Sequence, residues 1–199
     1  RRSVKLDNLK TRILCIGNVQ EGKGTIYLVR ALPHLLSKGL DISVNLVGSI
    51  DKSYQALLVN ELTRQGTVER VNFLGYESDP ERLKRQYQEA EVFVLPTLGE
   101  GFPRVLYEAM MSGLPVVASS IGSILDNVRG TDAVTLVPPR NPVAIADAIF
   151  ELIRNDALRK DRIEAGYRFA ARKFTCSPAE QFIGLIQKYE YDCNGAERR

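Results

Sequence analysis

Six short apolar runs recur along this chain, and amphipathic stretches of helical period separate most of them. "RILCIGNV" precedes "TIYLVRALPHLLSKG", "DISVNLVG" precedes "SYQALLVNELTRQG", and "VNFLGY" precedes "DPERLKRQYQEA". "VFVLPT" then leads to "FPRVLYEAMMSG", "LPVVASS" follows, and "AVTLVP" runs into "NPVAIADAIFELI". The runs carry few polar residues, as strands do when helices cover both faces of a sheet.

The pattern predicts an α/β fold: an open parallel sheet of about six strands, Rossmann type, with helical crossovers on both faces. Beyond Asn155 the period is wholly helical, through "ALRKDRIEAGYRFAARKF" and "SPAEQFIGLIQKYEYDC", the latter capped by Ser177 and opened by Pro178. At 199 residues the length suits one well-cored domain. Residues 1–11 are polar, charged and without period, and read as a linker or cut end; the domain is expected over 12–199. Apolar residues at 44% and charged ones at 26% exclude disordered, collagen-like and membrane-spanning classes. A formal charge of +3 gives no argument for nucleic acid. Cys15, Cys176 and Cys193 form neither a disulfide framework nor a CxxC pair, which points to a reducing compartment. The N-terminus lacks the apolar run of a signal peptide.

Ligands of such sheets bind at the carboxyl ends of the strands. Three loops there carry chemistry: "GNVQEGKGT", "GYESDP" and "LGEGFPR". In the last, Glu100 precedes a helix expected to start near Phe102 or Pro103, and Glu108 lies within it. Val105, Leu106, Ala109 and Met110 form one apolar arc, which leaves Glu108 outside it. A structural account pairs Glu108 with Arg104 one turn earlier. A functional account has the two acids, on the order of 10 Å apart, gripping hydroxyls at opposite ends of one extended ligand. The N–H groups of Gly101 to Leu106 would then face a phosphate between them. A nucleotide sugar has this layout.

"GEGFPRVLYEAMMSGLPVVAS" resembles the E-x7-E signature of the retaining glycosyltransferases of family 4, in the C-terminal, donor-binding half of the GT-B fold. "ILCIGNVQEGKGTIYLVRALPHLL", "VNLVG", "VNFLGY", "EVFVLPT" and "LVPPRNPVAIADAI" are similar to family segments in the same order. The resemblance implies that Glu108 binds ribose hydroxyls and Glu100 the donor sugar. It further implies that backbone amides over Gly101, Phe102, Pro103, Arg104, Val105 and Leu106 hold the diphosphate, beside Gly17 and the cation Lys23, with Glu100 and Lys23 carrying catalysis. Tyr76 and Glu77 are assigned to the nucleotide base, with a plain strand-to-helix turn as the alternative. Asn18 stands where the family commonly carries an arginine, a weaker, neutral donor to phosphate.

The same resemblance implies a metal-independent enzyme whose substrate is a nucleoside diphosphate sugar, without a cofactor. Its acceptor would be a glycan or lipid, held against an N-terminal domain that this chain lacks. It also implies a cytoplasmic location, at the inner face of a membrane in many members. The basic positions Arg159, Lys160, Arg162, Arg168, Arg172 and Lys173 would suit peripheral association with an anionic surface, or form a solvated helix face. "GNVQEGKG" also fits G-x4-G-K, but Gly24 occupies the position of the magnesium-binding hydroxyl of a phosphate-binding P-loop. The only histidine, His34, is expected to be structural, and no metal site of usual spacing can be built. The rival to the enzyme is a non-catalytic nucleotide or nucleotide-sugar binding module, for which Asn18 is the argument.

Overall fold

A computed structural model of the chain describes residues 10–101 and 103–174. The second C-terminal segment, with Ser177 and Pro178, lies outside the described residues, as do Cys176, Cys193 and Phe102. Within them the chain runs β1 (Thr11–Ile16), α1 (Thr25–Ser37), β2 (Ile42–Val47), α2 (Lys52–Gln65), β3 (Val71–Gly75) and α3 (Pro80–Glu89). It continues through β4 (Val92–Leu95), α4 (Arg104–Met111), β5 (Val116–Ser119), α5 (Gly122–Val128), β6 (Thr135–Val137), α6 (Pro142–Arg154) and α7 (Asp156–Phe174).

The six strands form one parallel sheet in the order β3-β2-β1-β4-β5-β6. Strand identity follows from burial: β4 and β5 are buried at every position, so apart from Ser119 at the end of β5 their side chains are apolar whichever face they meet. Alternate residues divide between two cores. Ile13, Cys15, Val92, Val94 and Val117 meet α1, α2 and α6 on one face. Leu14, Ile16, Phe93, Leu95, Val116 and Ala118 meet α3, α4, α5 and α7 on the other. Burial of this kind is worth roughly 25 cal/mol per Å² of apolar surface and is the main term holding both layers.

Two local results differ from the sequence reading. β1 begins at Thr11, a buried residue whose N–H donates to the Asp41 carbonyl at 2.7 Å, so the first strand reaches into the segment expected to be linker. Helix α5 was not anticipated: seven residues with a buried Ile124 and Val128 give one i, i+4 pair, too little period to stand out.

The order reverses between β1 and β4, since the chain leaves β1 toward β2 and β3 and then returns to the other side. The chain therefore leaves β1 and β4 toward helices on opposite faces, and ligands of such sheets bind in the crevice above the carboxyl ends of these two strands. α1 follows the first loop and α4 the second.

Candidate functional site

The crevice is built by two loops pressed together. After β1 the chain makes a single 3-10 turn over Glu21–Lys23 and enters α1 through Gly24, which has φ +63°. A Cβ at Gly24 would overlap the Pro96 carbonyl of the other loop, so only glycine permits both the left-handed turn and the close approach. That is a structural reason for glycine at the position a P-loop gives to a hydroxyl. The contact is reinforced by the Leu98 N–H, which donates to the Gly22 carbonyl at 2.9 Å. Thr97, fully buried, donates its hydroxyl to the Gly99 carbonyl at 2.9 Å and shapes the run toward Glu100.

This arrangement joins two residues that lie 77 positions apart. The Lys23 Nζ donates to Glu100 Oε1 at 2.6 Å, with side chains 25% and 13% exposed. A charge-assisted contact of that length in a partly desolvated place is stronger than a surface ion pair. Sequence reasoning selected both residues but gave them separate partners. Gly17 closes the end of β1 by donating its N–H to the Val47 carbonyl at 2.9 Å, and Asn18 projects to solvent.

Helix α4 starts at Arg104 with Pro103 as its N-cap residue and no side-chain cap. One expectation is corrected here. The Leu106 N–H donates to the Pro103 carbonyl at 3.0 Å, and the Leu106 side chain is buried, so this residue does not offer a free amide. Pro103 has no N–H to give and serves instead as that acceptor. The N–H groups of Gly101, Arg104 and Val105 have no acceptor among the described residues, and Gly101 and Arg104 are exposed. The open donors of this helix end thus lie beside the Lys23–Glu100 pair.

Glu108, half-buried, does not pair with Arg104. Its Oε2 accepts a hydrogen bond at 2.8 Å from the hydroxyl of Tyr87, near the end of α3. Tyr87 is only 5% exposed and stacks on Phe93 of β4 with ring centroids 6.2 Å apart. Burial first, and then the charge of Glu108, push the phenol far above its usual range, so it remains a donor at any ordinary pH. Nothing in the linear pattern marks Tyr87, because its partner lies 21 residues away on another helix.

In the loop after β3, Tyr76 is 76% exposed, whereas the Glu77 Oε1 accepts from the Asp79 N–H at 2.9 Å. Asp79 caps α3 by accepting from the Glu81 N–H. Glu77 is therefore engaged in a strand-to-helix turn, the alternative weighed for it, while Tyr76 is exposed after the edge strand β3. His34 is exposed on the flank of α1. In α7, Arg159 bonds Asp156 and the carbonyls of Leu152 and Ile153, Arg162 bonds Asp132, Arg168 pairs with Glu164, and Lys173 lies over the Phe169 ring. Much of its basic stripe is thus directed at the protein itself. No helix among the described residues is long and apolar enough to cross a membrane.

Residues 10–155 match the family model described as Glycosyl transferases group 1. The chain is 32% identical over 193 residues to an uncharacterized glycosyltransferase of Methanocaldococcus jannaschii, covering 96% of this chain and 44% of the relative. The C-terminal domain of the group 1 glycosyl transferase LpcC from Francisella tularensis shares the fold with a TM-score of 0.74 at 24% identity, over 82% of this chain and 86% of that one. Anabaena HepE, solved in complex with UDP and glucose, does so with a TM-score of 0.76 at 23% identity, over 89% and 48%. The chain spans less than half the length of the curated relatives it matches.

Proposed function

Because the chain belongs to the group 1 glycosyl transferases, we propose that it is the donor-binding half of a retaining enzyme that moves a sugar from a nucleoside diphosphate sugar to a glycan, lipid or other acceptor. The observation that carries this reading is the Lys23–Glu100 pair set beside the uncapped start of α4. A diphosphate seated there meets one cation and the open amides of Gly101, Arg104 and Val105. Its greater charge draws Lys23 toward it and frees Glu100 to accept from hydroxyls of the donor sugar. Glu108 accepts from the ribose at the other end, and Tyr76 lies toward the base.

In the reaction the sugar–phosphate bond lengthens and negative charge grows on the departing diphosphate. Preorganised donors aimed at that charge stabilise the transition state without reorganising. Lys23 and the amides supply this with no divalent ion. The acceptor is held by an N-terminal domain outside this chain, and two reactants must be brought into attack geometry with water excluded. Support for a nucleotide sugar comes from the shared fold of HepE, which was solved with UDP and glucose.

The test is calorimetric titration of the chain with UDP-, GDP- and ADP-sugars, with and without EDTA. Binding of one series that is indifferent to EDTA is expected; affinity that disappears in EDTA and returns with Mg2+ or Mn2+ overturns the metal-free reading. Transfer of radiolabelled sugar should require a separately produced N-terminal half. Turnover by the chain alone overturns the half-enzyme reading, and binding with no turnover in the presence of that half favours a binding module.

A further inference from the structure

We infer that Tyr87 is a positioning residue for nucleotide recognition: its buried hydroxyl holds the carboxylate of Glu108 from behind and sets the direction in which that carboxylate meets ribose. The inference rests on the reading of Glu108 as the ribose acceptor and names the residue on which its geometry depends. Three observations carry it.

The first is direction. Tyr87 approaches Glu108 Oε2 at 2.8 Å, which uses one oxygen and leaves the other for a ligand. The second is rigidity. The Tyr87 ring is buried, stacked on Phe93, and Phe93 is itself fully buried in β4 of the central sheet. A phenol fixed in this way has little rotational freedom, so it transmits the position of the sheet to a glutamate that would otherwise sample several rotamers. The third is the setting of Glu108 itself. Arg104, one turn earlier, is exposed and makes no ion pair with it, so Tyr87 supplies the polar contact recorded for this carboxylate among the described residues.

Holding a carboxylate by one oxygen matters for discrimination more than for adhesion. A free glutamate can swing to accept from any nearby hydroxyl, and it loses little when one hydroxyl is absent. A glutamate fixed at a defined angle rewards only the ligand whose hydroxyl stands there, and a missing hydroxyl leaves its acceptor unsatisfied. The selectivity for ribose over deoxyribose is therefore the quantity that Tyr87 controls.

Tyr87→Phe keeps the ring and its stacking on Phe93 and removes only the hydroxyl. The chain is titrated with UDP, GDP and ADP, and with the 2′-deoxy and 3′-deoxy forms of whichever binds most tightly, for wild type, Tyr87→Phe, Glu108→Gln and the double variant, with melting temperatures recorded for each. The expected result is that Tyr87→Phe weakens the ribonucleotide about tenfold, consistent with loss of a bond to a charged group, and removes most of the preference over the deoxy forms. It should add nothing further in the Glu108→Gln background. Unchanged ribose selectivity in Tyr87→Phe, alongside lost selectivity in Glu108→Gln, overturns the positioning role while the ribose site stands. Unchanged selectivity in Glu108→Gln, or no nucleotide binding by wild type, overturns the ribose site and the inference with it. A lower melting temperature with intact selectivity makes the contact a packing feature and also overturns the inference.

Discussion

Helices α4 and α6, on opposite faces of the sheet, each have a proline at their start and finish their N-termini differently. In α6, Asn141 is the N-cap and its side chain accepts from the Ala144 N–H at 3.0 Å, with Pro142 in the first turn. In α4, Pro103 itself occupies the N-cap position and no side chain serves the first amides. Elsewhere Asp51 caps α2 and Asp79 caps α3, α1 has no cap from its N-cap residue but its Ile26 N–H donates to the Tyr54 hydroxyl at 3.1 Å, and α5 has no side-chain cap. A missing cap costs about 1 kcal/mol. At α4 the uncapped start leaves the Gly101, Arg104 and Val105 amides without an acceptor among the described residues, whereas at α6 the cap closes the first turn.

The comparison breaks most severely at Gly24, the N-cap of α1. Gly24→Ala must adopt a left-handed backbone and push against the Pro96 carbonyl, so a loss of about 3 kcal/mol or more of folding stability is expected in chemical denaturation. A melting curve like that of wild type would mean that the two loops are not held by this approach. Next in size is Lys23→Ala. Its charge lies at the open end, so nucleoside diphosphate sugar affinity should fall about 10- to 100-fold, and the melting temperature should also fall because the mostly buried Glu100 loses its partner. Should stability fall and affinity hold, the Lys23–Glu100 pair is a structural clasp only.

A smaller effect is expected on the capped side. Asn141→Ala should cost about 1 kcal/mol of stability and leave nucleotide binding unchanged, whereas Lys23→Ala lowers binding. Any loss of nucleotide affinity in that variant would erase the distinction between closed and open helix ends.

The smallest effect concerns pH on the flank of α1 and α2, away from the crevice. The hydrogen bond from Arg64, helped by Gln65 and by the charges of Arg64 and Arg30, lowers the Glu61 carboxyl from its ordinary 4.5 to about 2. A depressed folded pKa means that the unfolded chain takes up the proton first. Glu61 thus contributes its full stability above about 4.5, and loses it as pH falls through about 2. Wild type should melt slightly above Glu61→Gln at pH 7, by a few tenths to about 1 kcal/mol, and the two curves should converge toward pH 2. A constant gap across that range would show that the contact is packing rather than charge.

Strands and most helices were legible in the sequence because a parallel sheet covered on both faces demands apolar residues at consecutive positions, a condition β1, β4 and β5 largely meet and the half-exposed edge strand β3 does not. The uncapped α4 was legible in part: Glu100 and Glu108 stand out at their spacing, while the closing of the Leu106 amide onto Pro103 depends on backbone angles that no residue type dictates. Glu77 was assigned to the base with a strand-to-helix turn as the alternative, and its carboxylate accepts from the Asp79 N–H, a local partner within two residues. Helix α5 was missed because one buried i, i+4 pair is too short a period to detect.

By itself the sequence determined which segments become strands and most of the helices, and which side chains cluster after β1 and β4. These are local matters of periodicity, propensity and side-chain chemistry. Only the tertiary structure decided that Lys23 meets Glu100 across 77 residues and that Tyr87 meets Glu108 from a neighbouring helix. Those pairings depend on the strand order that sets β1 beside β4 and on the packing of α3 against α4. Strand order and packing follow from burying two apolar layers at once, a property of the whole chain that no single stretch contains.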